Sequence, residues 1–188
     1  MSQKKDRLLF FRKPIFKIAD FIFDNPTKVF HLRMLEKKTG FSTTAVIDAV
    51  NELQSYNLIN IEKTSLTSNI KANTESKNYS FYKIVFSLYR LKKEVFIDKL
   101  IKIFNNPQAI ILFGSYAKGE DIEKSDIDLL VISNHENPKD LQEFINIYEK
   151  KLGRNINIHT LTSLNKSGTE FKNAVANGIV LHGYIKVI

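Results

Sequence analysis

Apolar and polar positions alternate along this chain with two different periods, and the changes of period outline its architecture. Over residues 8–24, Leu9, Ile15, Phe16, Ala19, Ile22 and Phe23 recur at helical spacing. Pro14 stands near the start of that run, where a missing N–H is harmless, and Asn25-Pro26 closes it. A second helix is predicted over 29–38 with Phe30, Met34 and Leu35 inward, ended by Thr39-Gly40. Ser42 is placed to cap a third, over 43–55, whose stripe is Val46, Ile47, Val50 and Leu53. Residues 58–62 and 79–85 alternate at period two and predict strands, with a polar stretch over 64–77 between them. Helical spacing returns over 87–105 (Leu88, Leu91, Val95, Leu100, Ile101, Phe104) and predicts one connecting helix, stopped by Asn105-Asn106-Pro107.

The remainder reads differently. Four apolar residues, Ile110 to Phe113, run into Gly114-Ser115; after ten intervening residues Asp126-Ile127-Asp128 leads into a second apolar run, Leu129 to Ile132. That order predicts strand, turn, short helix, loop, strand. A helix over 138–152 (Leu141, Phe144, Ile145 and Tyr148 inward), an alternating strand over 154–161, a short helix over 169–176 and a last strand over 178–181 complete the chain. The expected fold class is α+β in three parts: an N-terminal domain over 1–86, the connecting helix over 87–106, and a C-terminal domain with a small mixed sheet over 107–188. No Gly/Ser linker separates them, so stiff coupling is expected.

Chemistry concentrates at the apolar runs of the C-terminal part. Gly114 permits a sharp bend and close backbone approach to a ligand, and Ser115 adds a hydroxyl where a helix start presents free N–H groups, a combination suited to phosphate. Residues two apart on a strand share a face, so Asp126 and Asp128 aim two carboxylates at one spot. Such a pair calls for a cation, and hard oxygen ligands beside a nucleotide's phosphates favour Mg²⁺. The predicted reaction is nucleotidyl transfer from ATP or another nucleoside triphosphate, with Lys118 and Lys124 flanking the site and Tyr116 either stacking on a base or covering the turn.

Gly114-Ser115, Gly119 and Ser125-Asp126-Ile127-Asp128-Leu129 resemble the signature of the minimal nucleotidyltransferases of the DNA polymerase β superfamily. The resemblance covers about residue 107 to the end. It implies transfer of a nucleoside monophosphate to a hydroxyl, with Mg²⁺ held by Asp126 and Asp128. It also implies a third carboxylate on a neighbouring strand. The candidate strand over 154–161 has none: Asn155, Asn157 and His159 share its polar face, Asn157 is the residue that could occupy the slot, and His159 is the group able to accept a proton. Stand-alone members resemble antitoxins that add AMP to a partner toxin, which places a protein hydroxyl among the acceptors, beside small hydroxylated molecules and RNA ends.

Residues 30–62, two helices joined by a Gly-containing turn and followed by a strand, resemble the winged helix-turn-helix domains of prokaryotic regulators. That resemblance implies DNA binding, with Thr43, Thr44, Asp48 and Asn51 exposed toward the groove and Lys63, Lys71 and Lys77 available to phosphates. Charge agrees. Residues 1–90 hold fifteen Lys or Arg against eight Asp or Glu, a surplus of seven, out of a net +8 for the chain. Winged helices also dock proteins or dimerise, so a homodimer is a further expectation. The chain has no cysteine, which excludes disulfides and thiol chemistry, and its four histidines are too scattered to form a zinc site by spacing. No apolar run reaches the roughly 18 residues of a membrane span, and the expected location is the cytoplasm, without membrane contact. The sequence leaves three functions open: a transferase, a DNA-binding regulator whose transferase domain has become a nucleotide sensor, and a protein-interaction module.

Overall fold

In the computed structural model, which describes residues 13–63, 67–135 and 138–186, the chain divides into two compact units at Ser80 and Phe81. The first predicted helix begins in the description at Lys13, so Leu9 lies outside the described residues. Three helices form the first unit: α1 (Lys13–Asp24), α2 (Leu32–Thr39) and α3 (Thr43–Ser55). Gly40, at φ 75°, ends α2 in the left-handed conformation that glycine tolerates. Ser42 Oγ accepts from Ala45 N at 3.4 Å and caps α3. Two antiparallel strands follow, β1 (Ile59–Lys63) and β2 (Ser68–Ala72). Paired hydrogen bonds of 2.8 Å between Phe30 and Ile70 tie the hairpin to the segment before α2. Ile18, Phe30, Leu35, Val46, Leu53 and Ile70 are fully buried between these elements.

Two residues expected inside are not. Met34 and Ile47 are 39% and 38% exposed. On α2 the buried face passes through Leu35 and Thr39, four apart, and on α3 through Val46, Ala49, Val50 and Leu53, so each of the two falls at the edge of its stripe.

The hairpin also differs from expectation. Its second strand lies inside the stretch read as a polar loop, and residues 79–85, read as a strand, belong to helix α4 (Lys77–Lys93). The buried positions Tyr79, Lys83 and Phe86 follow helical spacing once the lysine is counted among them. The single connecting helix expected over 87–105 is likewise replaced by the end of α4 and a separate α5 (Phe96–Ile103). Val95 breaks the run at φ 58°, a left-handed conformation costly for a β-branched residue.

The second unit continues with β3 (Ala109–Phe113), α6 (Gly114–Lys118), β4 (Ile127–Ile132), α7 (Pro138–Leu152), β5 (Ile156–Leu161), α8 (Thr169–Ala176) and β6 (Ile179–Gly183). Its sheet has the order β5-β4-β3-β6, parallel between β4 and β5 across the α7 crossover and antiparallel elsewhere. All five residues of β3 are buried, because the strand is covered on both faces. Ile110, Leu112, Ile127, Leu129 and Val131 pack with Phe96, Leu100, Phe104, Phe144 and Tyr148 on one side. On the other, Ala109, Ile111, Phe113, Leu130 and Ile132 pack with Val175 and Phe171. Each fully buried Leu or Ile contributes about 1.5–3 kcal/mol, so the ends of β3 and β4 that carry the polar site are anchored in the most stable part of the unit. None of the described helices is long and apolar enough to cross a membrane.

Candidate active site

Strand register decides which polar groups meet. Phe113 pairs with Asp128 across β3 and β4, so Gly114, the next residue, turns the chain directly beside that carboxylate. Gly114 has φ 72°, and a Cβ built on it would lie 2.6 Å from Asp128 Oδ2. Any other residue there strains the backbone and pushes the carboxylate aside. Gly114 opens α6 with half-buried Ser115 in the first turn, and Gly119, at φ 69°, ends the helix.

Asp126 immediately precedes β4 and Asp128 lies on it, both half-buried. The parallel register sets Asp128 opposite Asn157 on β5. Asn157 Nδ2 donates to Asp126 Oδ2 at 3.2 Å and to Asp128 Oδ1 at 3.0 Å. Asn155 Nδ2 donates to the remaining Asp126 oxygen at 3.0 Å. Two carboxylates thus close on a single amide NH₂ group, whose positively polarised hydrogens offset their repulsion. This arrangement fits a divalent cation: two carboxylates point at one place, and rotation of the Asn157 amide would present a neutral oxygen to the same place. Among the described residues no group of three His, Cys, Asp or Glu side chains is close enough to hold a metal ion, so any site here rests on two acids and an amide.

Other residues named from the sequence take less central places. His159, exposed, is next on the Asn157 face of β5, and its ring packs against Phe113 and Phe171 with centroids 5.7 and 5.4 Å apart. Tyr116 is only 7% exposed, and its hydroxyl accepts from Arg154 Nε at 3.1 Å, so the ring covers the turn. Lys118 and Lys124 are exposed. In the first unit Thr43, Thr44, Asp48, Asn51 and Lys63 are exposed, while Lys71 Nζ lies 3.0 Å from Glu62 Oε2. Exposed pairs of that kind are weak and leave the lysine available.

Sequence reasoning overlooked Asn155 as a partner of Asp126, although its spacing of two from Asn157 mirrors the Asp pair. It also overlooked a buried ion pair beneath the loop that joins α6 to β4, Lys83 with Asp121. Beside Asn155, Glu123, Lys124 and Arg154 line a cavity of about 210 Å³.

The family described as Nucleotidyltransferase domain matches residues 94–182, which include the bend, both aspartates and Asn157. A Methanocaldococcus jannaschii protein named Putative protein adenylyltransferase MJ1379 is 36% identical over 69 residues, spanning 35% of this chain and 69% of that protein. Among solved structures, the crystal structure of the toxin-antitoxin MntA-HpeT mutant aligns with a TM-score of 0.40 and 22% identity over 49% of this chain and 73% of that one. On a relative of that identity and coverage, together with the family match, the chain belongs to the Nucleotidyltransferase domain family.

Proposed function

We propose that the second unit is an Mg²⁺-dependent nucleotidyltransferase that moves a nucleoside monophosphate, AMP from ATP, onto a hydroxyl acceptor, forming the new P–O bond as the bond between the α- and β-phosphates breaks and pyrophosphate leaves. The observation that carries this reading is the closure of Asp126 and Asp128 on one point, 3.2 and 3.0 Å from the Asn157 amide and beside the Gly114 bend. Asp126 and Asp128 would hold the cation, with the Asn157 amide oxygen as the neutral third ligand. An Mg²⁺ ion held there would supply charge neutralisation for the triphosphate and so favour in-line displacement. Gly114 leaves room for phosphate oxygens against the backbone, and Ser115 donates its hydroxyl to them. His159, on the same face of β5, is the side chain available to take the acceptor's proton.

The acceptor we favour is a hydroxyl of a partner protein. The name of the Methanocaldococcus relative supports this choice, as does the resemblance to minimal nucleotidyltransferases that modify a partner toxin. ATP labelled at its α-phosphate, incubated with Mg²⁺ and a candidate protein acceptor, is expected to leave label on that acceptor. A second reading, supported by an amide, Asn157, beside the two acids on the strand where the resemblance implies a third carboxylate, is a sensor that binds nucleotide without transferring it. ATP binding with no labelled product from any acceptor class would select it.

For the first unit we propose a winged helix-turn-helix that binds duplex DNA. The support is α3 capped by Ser42 with Thr43, Thr44, Asp48 and Asn51 exposed, the hairpin bearing Lys63 and Lys71, and the basic surplus of the N-terminal half. With two or three phosphates neutralised, affinity should fall about tenfold or more between about 50 and about 200 mM salt. No retardation of duplex DNA at low salt would leave docking or dimerisation as the better account of this unit.

A further inference from the structure

We propose that Lys83 and Asp121 are positioning residues for nucleotidyl transfer, a paired anchor that fixes the loop between the Gly114-Ser115 bend and the Asp126/Asp128 pair. The proposal rests on the nucleotidyltransferase reading of that site. Lys83 comes from the second turn of α4, and Asp121 stands 38 residues later in the loop that leaves α6. Their side chains are 2% and 5% exposed. Lys83 Nζ lies 3.2 Å from Asp121 Oδ2 and also donates to the Asp121 backbone carbonyl. The lysine therefore holds the main chain of the loop as well as a side chain, which fixes position and not charge alone.

The loop's other bonds carry that position to both ends of the site. Glu120 N donates to Ser115 O at 3.0 Å, linking the residue before Asp121 to the bend. Beyond Asp121, Ser125 N donates to Ile122 O at 3.0 Å while Ser125 Oγ accepts from Ile122 N at 2.9 Å, a closed turn that delivers the chain to Asp126. Residues 115–126 thus form a bonded path from the phosphate-binding turn to the metal-binding acids, and Lys83 grips its middle.

Stability does not account for the pair. Burial holds the Lys83 ammonium below its usual range and the Asp121 carboxyl above its own, desolvation outweighing their attraction. Asp121 Oδ1 is buried with no hydrogen-bond partner. Replacing a buried ion pair by apolar residues of similar volume is often neutral or stabilising. What an apolar pair would lose is the fixed course of the loop into Asp126, which lies outside the β3–β4 register that holds Gly114 beside Asp128, and displacements of about 1 Å at reacting groups cost about a hundredfold in rate.

The test measures how strongly Mg²⁺ assists ATP binding, because that coupling exists only while bend and acids are held together. In the full-length protein, ATP affinity is compared in Mg²⁺ and in EDTA by equilibrium dialysis, for wild type and for the double variant Lys83→Met/Asp121→Leu. The double variant should melt no lower than wild type, keep its EDTA affinity, and lose about tenfold or more of the Mg²⁺-dependent gain. Lys83→Arg, which keeps charge and donors, should recover part of that gain. A folded double variant with undiminished gain overturns the proposal and leaves the reading of the site intact. A double variant that fails to fold also overturns it, since the pair would then be needed for stability. A wild type with no Mg²⁺-dependent gain removes the underlying reading and the proposal with it.

Discussion

Replacing Asp128 with Asn is expected to abolish nucleotidyl transfer while leaving the fold as stable as before, or more stable in the absence of metal. The carboxylate lies against the Gly114 bend and accepts from Asn157 at 3.0 Å, so under the proposed function it would both ligate the cation and border the place of the phosphates. An amide at 128 keeps the size and one acceptor oxygen, and Leu129, Leu130 and Val131 beyond it stay buried, so β4 has no reason to shift. What disappears is one of two negative charges converging on a single point. Without a cation that charge is a source of repulsion, and its removal should raise the melting temperature in EDTA. With Mg²⁺ present it is a ligand, and losing about 4 kcal/mol of charge stabilisation corresponds to about a thousandfold in rate. Transfer from α-labelled ATP and thermal unfolding in EDTA and in Mg²⁺ measure the two effects together. Undiminished transfer by Asp128→Asn would remove the active-site assignment.

The bend and the two aspartates were legible in the sequence because their chemistry depends on local spacing alone. A glycine-serine step after an apolar run and two acids one residue apart before another need no knowledge of distant contacts. Elements that depend on distant contacts were misread. Lys83 is the clearest case: residues 79–85 read locally as an alternating strand, and nothing in the neighbouring sequence marks the lysine as a buried position. Its burial against Asp121, 38 residues away, restores the helical stripe of Tyr79, Lys83 and Phe86. Strand β2 was hidden for a related reason. Its residues Ser68–Ala72 contain one fully buried side chain, Ile70, and the strand exists because it pairs with β1 and bridges Phe30. The break before α5 has no glycine or proline to announce it; Val95 takes the left-handed conformation, and its neighbour Glu94 gives its backbone carbonyl to Tyr148 Oη at 2.7 Å.

The candidate third ligand lay between these extremes. Alternation over 154–161 was enough to set Asn155, Asn157 and His159 on one face, but only the parallel register shows which of them stands opposite Asp128. That register also separates their work. Asn157 serves both carboxylates, Asn155 serves Asp126 alone, and His159 sits one step further along among Phe113 and Phe171. The amides therefore form a cradle that holds the acids in place before any cation arrives, a role that an acidic residue at 157 would not fill.

Asn157→Asp should consequently change stability in opposite directions with and without metal, and raise transfer. The substitution removes both donated hydrogen bonds, at 3.2 and 3.0 Å, and adds a third negative charge at the point where two already converge. In EDTA the second unit should therefore melt earlier than wild type, the more so as pH rises and the introduced carboxyl ionises. With Mg²⁺ the same three charges become ligands, and affinity for the ion should rise by about ten- to a hundredfold, in line with the effect of a single well-placed group on a metal site. Transfer should rise with it, since a carboxylate can also draw the proton from the attacking hydroxyl where an amide cannot. Melting curves across a Mg²⁺ titration, run beside label transfer from ATP, follow both. If Mg²⁺ does not recover the lost stability of Asn157→Asp, residue 157 is not a metal ligand. If it does recover stability while transfer stays absent in both proteins, the site binds its nucleotide as a sensor.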